Sequence, residues 1–391
     1  MKKHILFAIL YSIVSIPCLA QPWTGTWATA TETPFGKDDV PQKVSLSNNT
    51  LRQIVHVSLG GDVLRLELSN AFGDEPLDIK SVYIADAAVD EQIDVKTAQY
   101  LKFNGKQSVT VAPHQVIFSD ALKYGLKPLQ RLSVTVHYGN SIPKTITTHR
   151  GSRTNSYIMM GECKPKEVFS VYEKLEHWYT IAAIDVQAEG KECIAVLGNS
   201  MTDGRGSTTD QQNRWTDVLA ETLGGNYGVL NLGIGGNCVL QGGLGQPAVD
   251  RFDRDILGQR GVTTLIIYEG INDIGSSKQV EKTGRQLIRS YEKFIKKARE
   301  AGMKVYLGTI TQLGNTNYWS YYHEACRQTV NEWIRANKEV DGIIDFDQLT
   351  RDTQQPTQMR SEWQYDWLHP NAEGYLNMGR YAAKMIQKAV E

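Results

Sequence analysis

Cysteine is scarce in this chain, with 5 among 391 residues, and so is net charge, with 42 Lys and Arg against 43 Asp and Glu. There is no CxxC pair, and the cysteines show no metal-ligand spacing, so a structural or catalytic metal finds no support. A formal charge of −1 supplies no field that would draw in nucleic acid or an anionic membrane surface. Long apolar runs are also missing, apart from 5-ILFAILYSIVSI-16, and neither internal repeats nor low-complexity linkers occur. What remains is an ordinary globular mixture, 41% hydrophobic and 22% charged, long enough for two domains.

The one apolar run follows Lys2-Lys3 and precedes Pro17 and 18-CLA-20. A positive start, a short apolar stretch and small residues at Cys18 and Ala20 read as a secretory signal peptide over residues 1–20, cut after Ala20. The run is short for crossing a bilayer, and Pro17 ahead of Cys18 fits a lipoprotein site poorly. The expectation is an exported chain, periplasmic or extracellular, without stable membrane insertion; losing Lys2 and Lys3 takes its formal charge from −1 to −3. Cys163, Cys193, Cys238 and Cys326 are left, either as free thiols or in one of three full pairings.

Two hydrophobic periods divide the rest. Over 21–187, stretches such as 53-QIVHVSLGG-61, 63-VLRLELSN-70, 79-IKSVYIADA-87 and 131-RLSVTVHYG-139 alternate apolar with polar residues between Gly/Asn/Asp turns. This predicts a β-sandwich-like N-terminal domain, whose His and Asp residues show no recurrent catalytic spacing. Over 188–391, apolar runs at 193–198, 228–234, 263–270, 304–310 and 342–347 alternate with helical patterns at 213–224, 279–302, 324–340 and 371–390. Strands that are apolar throughout, interleaved with amphipathic helices, predict a three-layer α/β/α domain on a parallel sheet. Ala188-Glu189-Gly190-Lys191 is the expected join.

Open α/β sheets bind ligands beyond the carboxyl ends of their strands, so the residues that end each strand are informative. The first run ends in 198-GNS-200, the second in 231-NLGIGGN-237, the third in 269-EGINDIG-275, and 366-DWLHPN-371 precedes the last helix. Each has a plain structural reading. Gly-Asn-Ser and Gly-Gly make tight turns, Asn272-Asp273 can bind nearby backbone, and Asn371 can cap a helix. Together, at one end of one sheet, they supply what nucleophilic acyl transfer needs. Ser200 is the candidate nucleophile, His369 the base that takes its proton, and Asp366 the acid that orients His369. The backbone N–H groups of Ser200 and Gly236 and the side-chain amide of Asn272 are candidate donors to a developing oxyanion.

The ordered set GNSMTDG, NLGIGGN, EGINDIG and DWLHPN closely resembles the four signature blocks of the SGNH hydrolase (GDSL-type esterase) superfamily. That resemblance places the same roles on Ser200, Gly236, Asn272, Asp366 and His369, and implies a flavodoxin-like hydrolase domain with no metal or organic cofactor. The stretches 23-WTGTWATA-30, 51-LRQIVHVSLGGDVLRLELSNAFG-73 and 249-VDRFDRDILGQRGV-262 look like an exported bacterial branch with an N-terminal β-domain. One position departs from the pattern: Asn199 stands where the family usually has Asp, which removes a charge beside the nucleophile but none from the triad.

The resemblance implies ester hydrolysis through an acyl-enzyme, and export with a β-rich partner domain favours O-acetyl groups on a carbohydrate. The partner is then a small-molecule or polysaccharide ester. Trp215, Tyr268, Trp363, Tyr365 and Trp367 are candidates to stack on sugar rings. Short-chain lipid or aryl ester hydrolysis and acyl transfer to an acceptor use the same residues. A non-catalytic carbohydrate-binding scaffold on this fold is the alternative of a different class. Oligomeric state is open.

Overall fold

The structure, a computed structural model, describes residues 23–388; the expected leader over 1–20 lies outside the described residues. From Trp23 to Gln187 the chain forms a small two-stranded sheet, Thr148–His149 with Trp178–Tyr179, and two large antiparallel ones. One places Trp23–Ala28, Ile181–Gln187, Gly61–Ser69 and Val116–Phe118 side by side, with Leu122–Leu126 also on Gly61–Ser69. The other runs Glu173–Leu175, Ser156–Met159, Thr50–His56, Arg131–Tyr138, Leu77–Asp86 and Gln99–Tyr100, with Val109–Val111 also on Leu77–Asp86. Period-two alternation sends Leu64, Leu66 and Leu68 of the first sheet into one core with Leu51, Val55, Val134 and Val136 of the second. The expected sandwich is what forms.

The second half is a five-stranded sheet in the spatial order Gly228–Gly233, Cys193–Gly198, Val262–Tyr268, Lys304–Gly308, Gly342–Ile344, parallel throughout. The helix Val280–Glu300 buries Leu287, Tyr291, Phe294, Ile295 and Ala298 at three- and four-residue spacing, and packs beside Tyr321–Ala336. Trp215–Thr222 packs beside Ala372–Lys388. Counted along the chain, the strand order is 2-1-3-4-5, which turns in opposite directions after the first and third strands. Ligands bind where such an order reverses, and that point is flanked by Ser200 and Asn272.

The two halves share a broad contact. Strand Trp23–Ala28 lies along Gly228–Gly233, and Thr29 bridges Asn231 in parallel register. The Gly25 N–H donates to Arg260 O at 2.9 Å, and the Val229 N–H donates to Ser58 Oγ at 2.8 Å. Hydrogen bonds from both halves therefore hold the edge of the parallel sheet.

Candidate active site

The strand Cys193–Gly198 stops because Asn199 turns the chain into a one-turn helix, Ser200–Asp203. Asn199 Oδ1 accepts the Met201 N–H at 3.1 Å, an N-cap, and Gly204 closes the turn in the left-handed region at φ 104°. Ser200 thus stands at the sheet's carboxyl end, 5% exposed. Its Oγ lies 2.8 Å from His369 Nε2.

His369 comes from the loop before the last helix, which Asn371 caps as expected by accepting the Gly374 N–H at 3.0 Å. Its Nδ1 is 2.9 Å from both carboxylate oxygens of Asp366, and its backbone N–H donates to Asp366 Oδ1 at 2.9 Å. Partial burial pushes the Asp366 carboxyl up, but the His369 hydrogen bonds outweigh it and hold the group well below the usual carboxylate range. Ser200, His369 and Asp366 form one hydrogen-bonded line, in which the imidazole can take a proton from Oγ while an ionised carboxylate faces its other nitrogen.

Gly236 and Asn272 border the same cleft. No acceptor among the described residues takes the N–H of Ser200 or Gly236. Gly236 has φ 74°, which a side chain would strain. One Asn272 Nδ2 hydrogen goes to Asn237 O at 2.7 Å, and Tyr318 OH donates to Asn272 Oδ1 at 3.1 Å. These bonds fix which end of the amide faces the cleft and leave its second N–H for a ligand. Tyr318 gets this close because residue 275 is glycine; a Cβ there would meet its ring at 2.2 Å.

Several residues that the sequence does not mark as part of the site support it. Asn237, wholly buried, donates to Leu244 O and Gln246 O, shaping the loop that presents Gly236. Buried Arg251 donates to Asn237 Oδ1, to Leu232 O and to Gly198 O, tying the ends of two strands together. Asp273 accepts the Val239 and Leu240 N–H groups, a backbone-binding role like the one its turn context allows, though across 33 residues or more.

Beneath Ser200, the Asn199 amide donates to Glu269 Oε2 at 2.9 Å, so the departure at Asn199 has a partner. Glu269 is 2% exposed, and its Oε1 has no hydrogen-bond partner among the described residues. Burial, with Asp273 nearby as a second carboxylate, pushes its pKa to about 8; burial raises Asp273 to about 6. A carboxyl raised in the fold binds a proton that the unfolded chain has already lost. Its contribution is therefore fully present below the unfolded value near 4.5 and is lost as pH rises toward 8. We expect the melting temperature to fall between pH 5 and pH 8.5 and Glu269→Gln to flatten that fall, by the equivalent of a few kcal/mol at most. An equally steep fall in the variant would show that Glu269 is not the group responsible.

The β-half contributes directly. His149 Nε2 lies 2.9 Å from Asp203 Oδ1, and Arg153 Nη2 lies 2.5 Å from Asp203 Oδ2, at the far end of the Ser200 helix. Burial would raise the Asp203 carboxyl, but Arg153 and His149 bring it down to about 2. The cleft, about 400 Å³, is walled by Arg150, Gly151 and Arg153 from this half and by Arg205, Leu244, Tyr318 and Leu368 from the other.

Two expected sugar-stacking aromatics face elsewhere. Trp215 and Tyr268 are buried in the core, edge to face at 6.4 Å, because their positions fall on the inward faces of a helix and a strand. Tyr365 is 60% exposed, and Trp363 and Trp367 are half-buried. Cys163, Cys193, Cys238 and Cys326 are all buried and unpaired. No group of three His, Cys, Asp or Glu side chains among the described residues could hold a metal ion. No helix of the described residues is long and apolar enough to cross a membrane.

A parallel sheet of order 2-1-3-4-5 with a Ser–His–Asp line at its switch point is the arrangement of a serine-type acyl hydrolase. Residues 196–376 match the model of the GDSL-like lipase/acylhydrolase family. No curated protein matches the chain. Among solved structures it is similar to a putative lipolytic protein of the G-D-S-L family from Desulfitobacterium hafniense DCB-2, at 20% identity and TM-score 0.39, over 50% of this chain and 99% of that one. The esterase EstA from Pseudoalteromonas sp. gives 20%, 0.36, 51% and 99%. The acetyl xylan esterase AlAXEase gives 20%, 0.38, 51% and 100%.

Proposed function

We propose that the chain is an exported serine esterase that removes O-acetyl groups from a carbohydrate through an acyl-enzyme. The observation that carries the reading is the unbroken line from Ser200 Oγ through His369 to Asp366, opening on a cleft with unspent N–H donors. In this reading His369 Nε2 takes the Oγ proton as Ser200 attacks the ester carbonyl. Asp366 holds the Nδ1–H and stabilises the imidazolium. The N–H groups of Ser200 and Gly236 and the free amide hydrogen of Asn272 stabilise the oxyanion. As the bond from the carbonyl carbon to the sugar oxygen breaks, the imidazolium gives its proton to that oxygen and the sugar leaves with a free hydroxyl. Water then repeats the sequence on the acetyl-enzyme and releases acetate.

Hydrogen-bonding groups along a mixed lining favour a hydroxylated substrate over a lipid tail. Three arginines and Tyr318 face the cleft with Leu244 and Leu368, and the adjoining groove is lined by Asn315, Thr316, Asn317, Tyr318, Asp366 and Leu368. The leader over 1–20 supports export, with a β-domain over 21–187 and a hydrolase domain over 188–391. The test is acetate release from p-nitrophenyl acetate and a panel of acetylated plant polysaccharides, with a reactive aryl phosphonate to label the nucleophile. Polysaccharide deacetylation and a phosphonyl adduct on Ser200 are expected. Turnover confined to aryl or short acylglycerol esters would move the substrate to those classes, and acetyl transfer to an added sugar would make it a transferase. Polysaccharide binding without turnover or labelling would leave a scaffold.

A further inference from the structure

Three guanidinium groups line the cleft around Ser200, and their pairing is unequal. Arg150 Nη2 is 2.6 Å from Glu32 Oε2, and Arg153 Nη2 is 2.5 Å from Asp203 Oδ2; both carboxylates are buried. Those two charges are answered inside the protein. Arg205 is different. Its side chain is 54% exposed and makes no hydrogen bond among the described residues; its nearest acid, Asp366, is 3.6 Å away and already engaged with His369.

The root of this side chain is nonetheless fixed. The Arg205 N–H donates to Ser200 O at 2.9 Å, and its carbonyl accepts Tyr375 OH at 2.6 Å. The next residue, Gly206, has φ 92° and lies where a Cβ would meet Pro370 O at 2.3 Å, so the loop is clasped against the His369 segment. An exposed cation on a pinned backbone, five residues from the candidate nucleophile, is placed to meet an anion on whatever Ser200 attacks. A guanidinium presents a planar fork that matches a carboxylate with two parallel bonds.

We propose that Arg205 sets specificity for esters whose alcohol part carries a carboxylate, so that the preferred substrate is an O-acetylated acidic sugar. This rests on the esterase reading above and adds to it the charge of the substrate. A charge-assisted pair at a half-exposed rim gives a preference of about tenfold, weakened by salt.

The test compares kcat/KM for an O-acetylated methyl hexuronoside with that for its carboxyl methyl ester, a neutral analogue of nearly the same shape. The full chain, Arg205→Lys and Arg205→Gln are assayed at low and high salt. The expected result is an acid-over-ester ratio of about ten or more in the native chain, smaller at high salt. It is partly kept by Arg205→Lys and falls to about one in Arg205→Gln. A native ratio of one, or a ratio unchanged by Arg205→Gln, would overturn the proposal. Arg205 would then act on Asp366 alone, with equal losses on both substrates and a displaced pH–rate profile. If neither sugar ester reacts while p-nitrophenyl acetate does, the carbohydrate reading is what fails. The same ratio is then read from 4-acetoxybenzoate and its methyl ester, so the role of Arg205 is decided in either case.

Discussion

Ser200→Ala is expected to lower kcat for ester hydrolysis by at least about 10⁴-fold while leaving the fold intact. The substitution removes one oxygen. Among the described residues the only partner it strands is His369 Nε2, which keeps its Nδ1 contact with Asp366 and faces a cleft that admits water. Removing a nucleophile with so little disturbance separates chemistry from stability. His369→Ala should cost a similar factor, because an unassisted serine hydroxyl is a poor nucleophile. The double variant should be no slower than either single one, since parts of one relay act as a unit. Initial rates on p-nitrophenyl acetate, with melting curves of the same samples, check all three. A Ser200→Ala protein that keeps more than a hundredth of the native rate would mean that another group attacks the ester.

Much of this site is legible in the sequence because it is local. Asp366 and His369 are three residues apart, and Gly198, Asn199 and Ser200 follow directly on an apolar strand. The regular elements are legible for the same reason, since their periods are short. The helix pattern at 279–302 became Val280–Glu300, and the apolar run at 193–198 became Cys193–Gly198. The Ser200–His369 pair spans 169 residues and is legible only because each partner sits in a signature block; what escapes is a distant pairing to which no such mark points. Arg251 reaches Gly198 across 53 residues, and Asn199 meets Glu269 across 70. Neither Asn199 nor Glu269 carries a pattern that names the other. Trp215 and Tyr268 misled for a related reason, because an aromatic close to a signature block in sequence can still point away from the cleft. His149, without a recurrent spacing in a β-rich half, gave no hint that its ring sits 2.9 Å from a residue of the GNSMTDG block.

That contact leads to the second large effect, on stability and rate together. Asp203 is fully buried with both oxygens engaged, one by His149 and one by Arg153, and its backbone N–H donates to Asn199 O at 2.8 Å. Asp203→Ala would leave the half-enclosed Arg153 guanidinium and the buried His149 ring without their acceptor. Breaking one side of a buried ion pair costs about 3–5 kcal/mol, which for a chain of this size corresponds to a fall of roughly 4–6 °C in melting temperature. Because Asp203 ends the single helical turn that begins at Ser200, the loss should also loosen the nucleophile and reduce kcat by at least about tenfold in protein that remains folded. Asp203→Asn keeps the shape and some of the hydrogen bonding, so it should fall between the two and remain measurable if the alanine variant does not fold. Pairing Asp203→Asn with His149→Ala then isolates the contact: if the link across the two halves is what matters, the double variant loses less than the sum of the single losses. Strict additivity would show that His149 does not carry the link, leaving Arg153 as the β-half partner through which Asp203 is held.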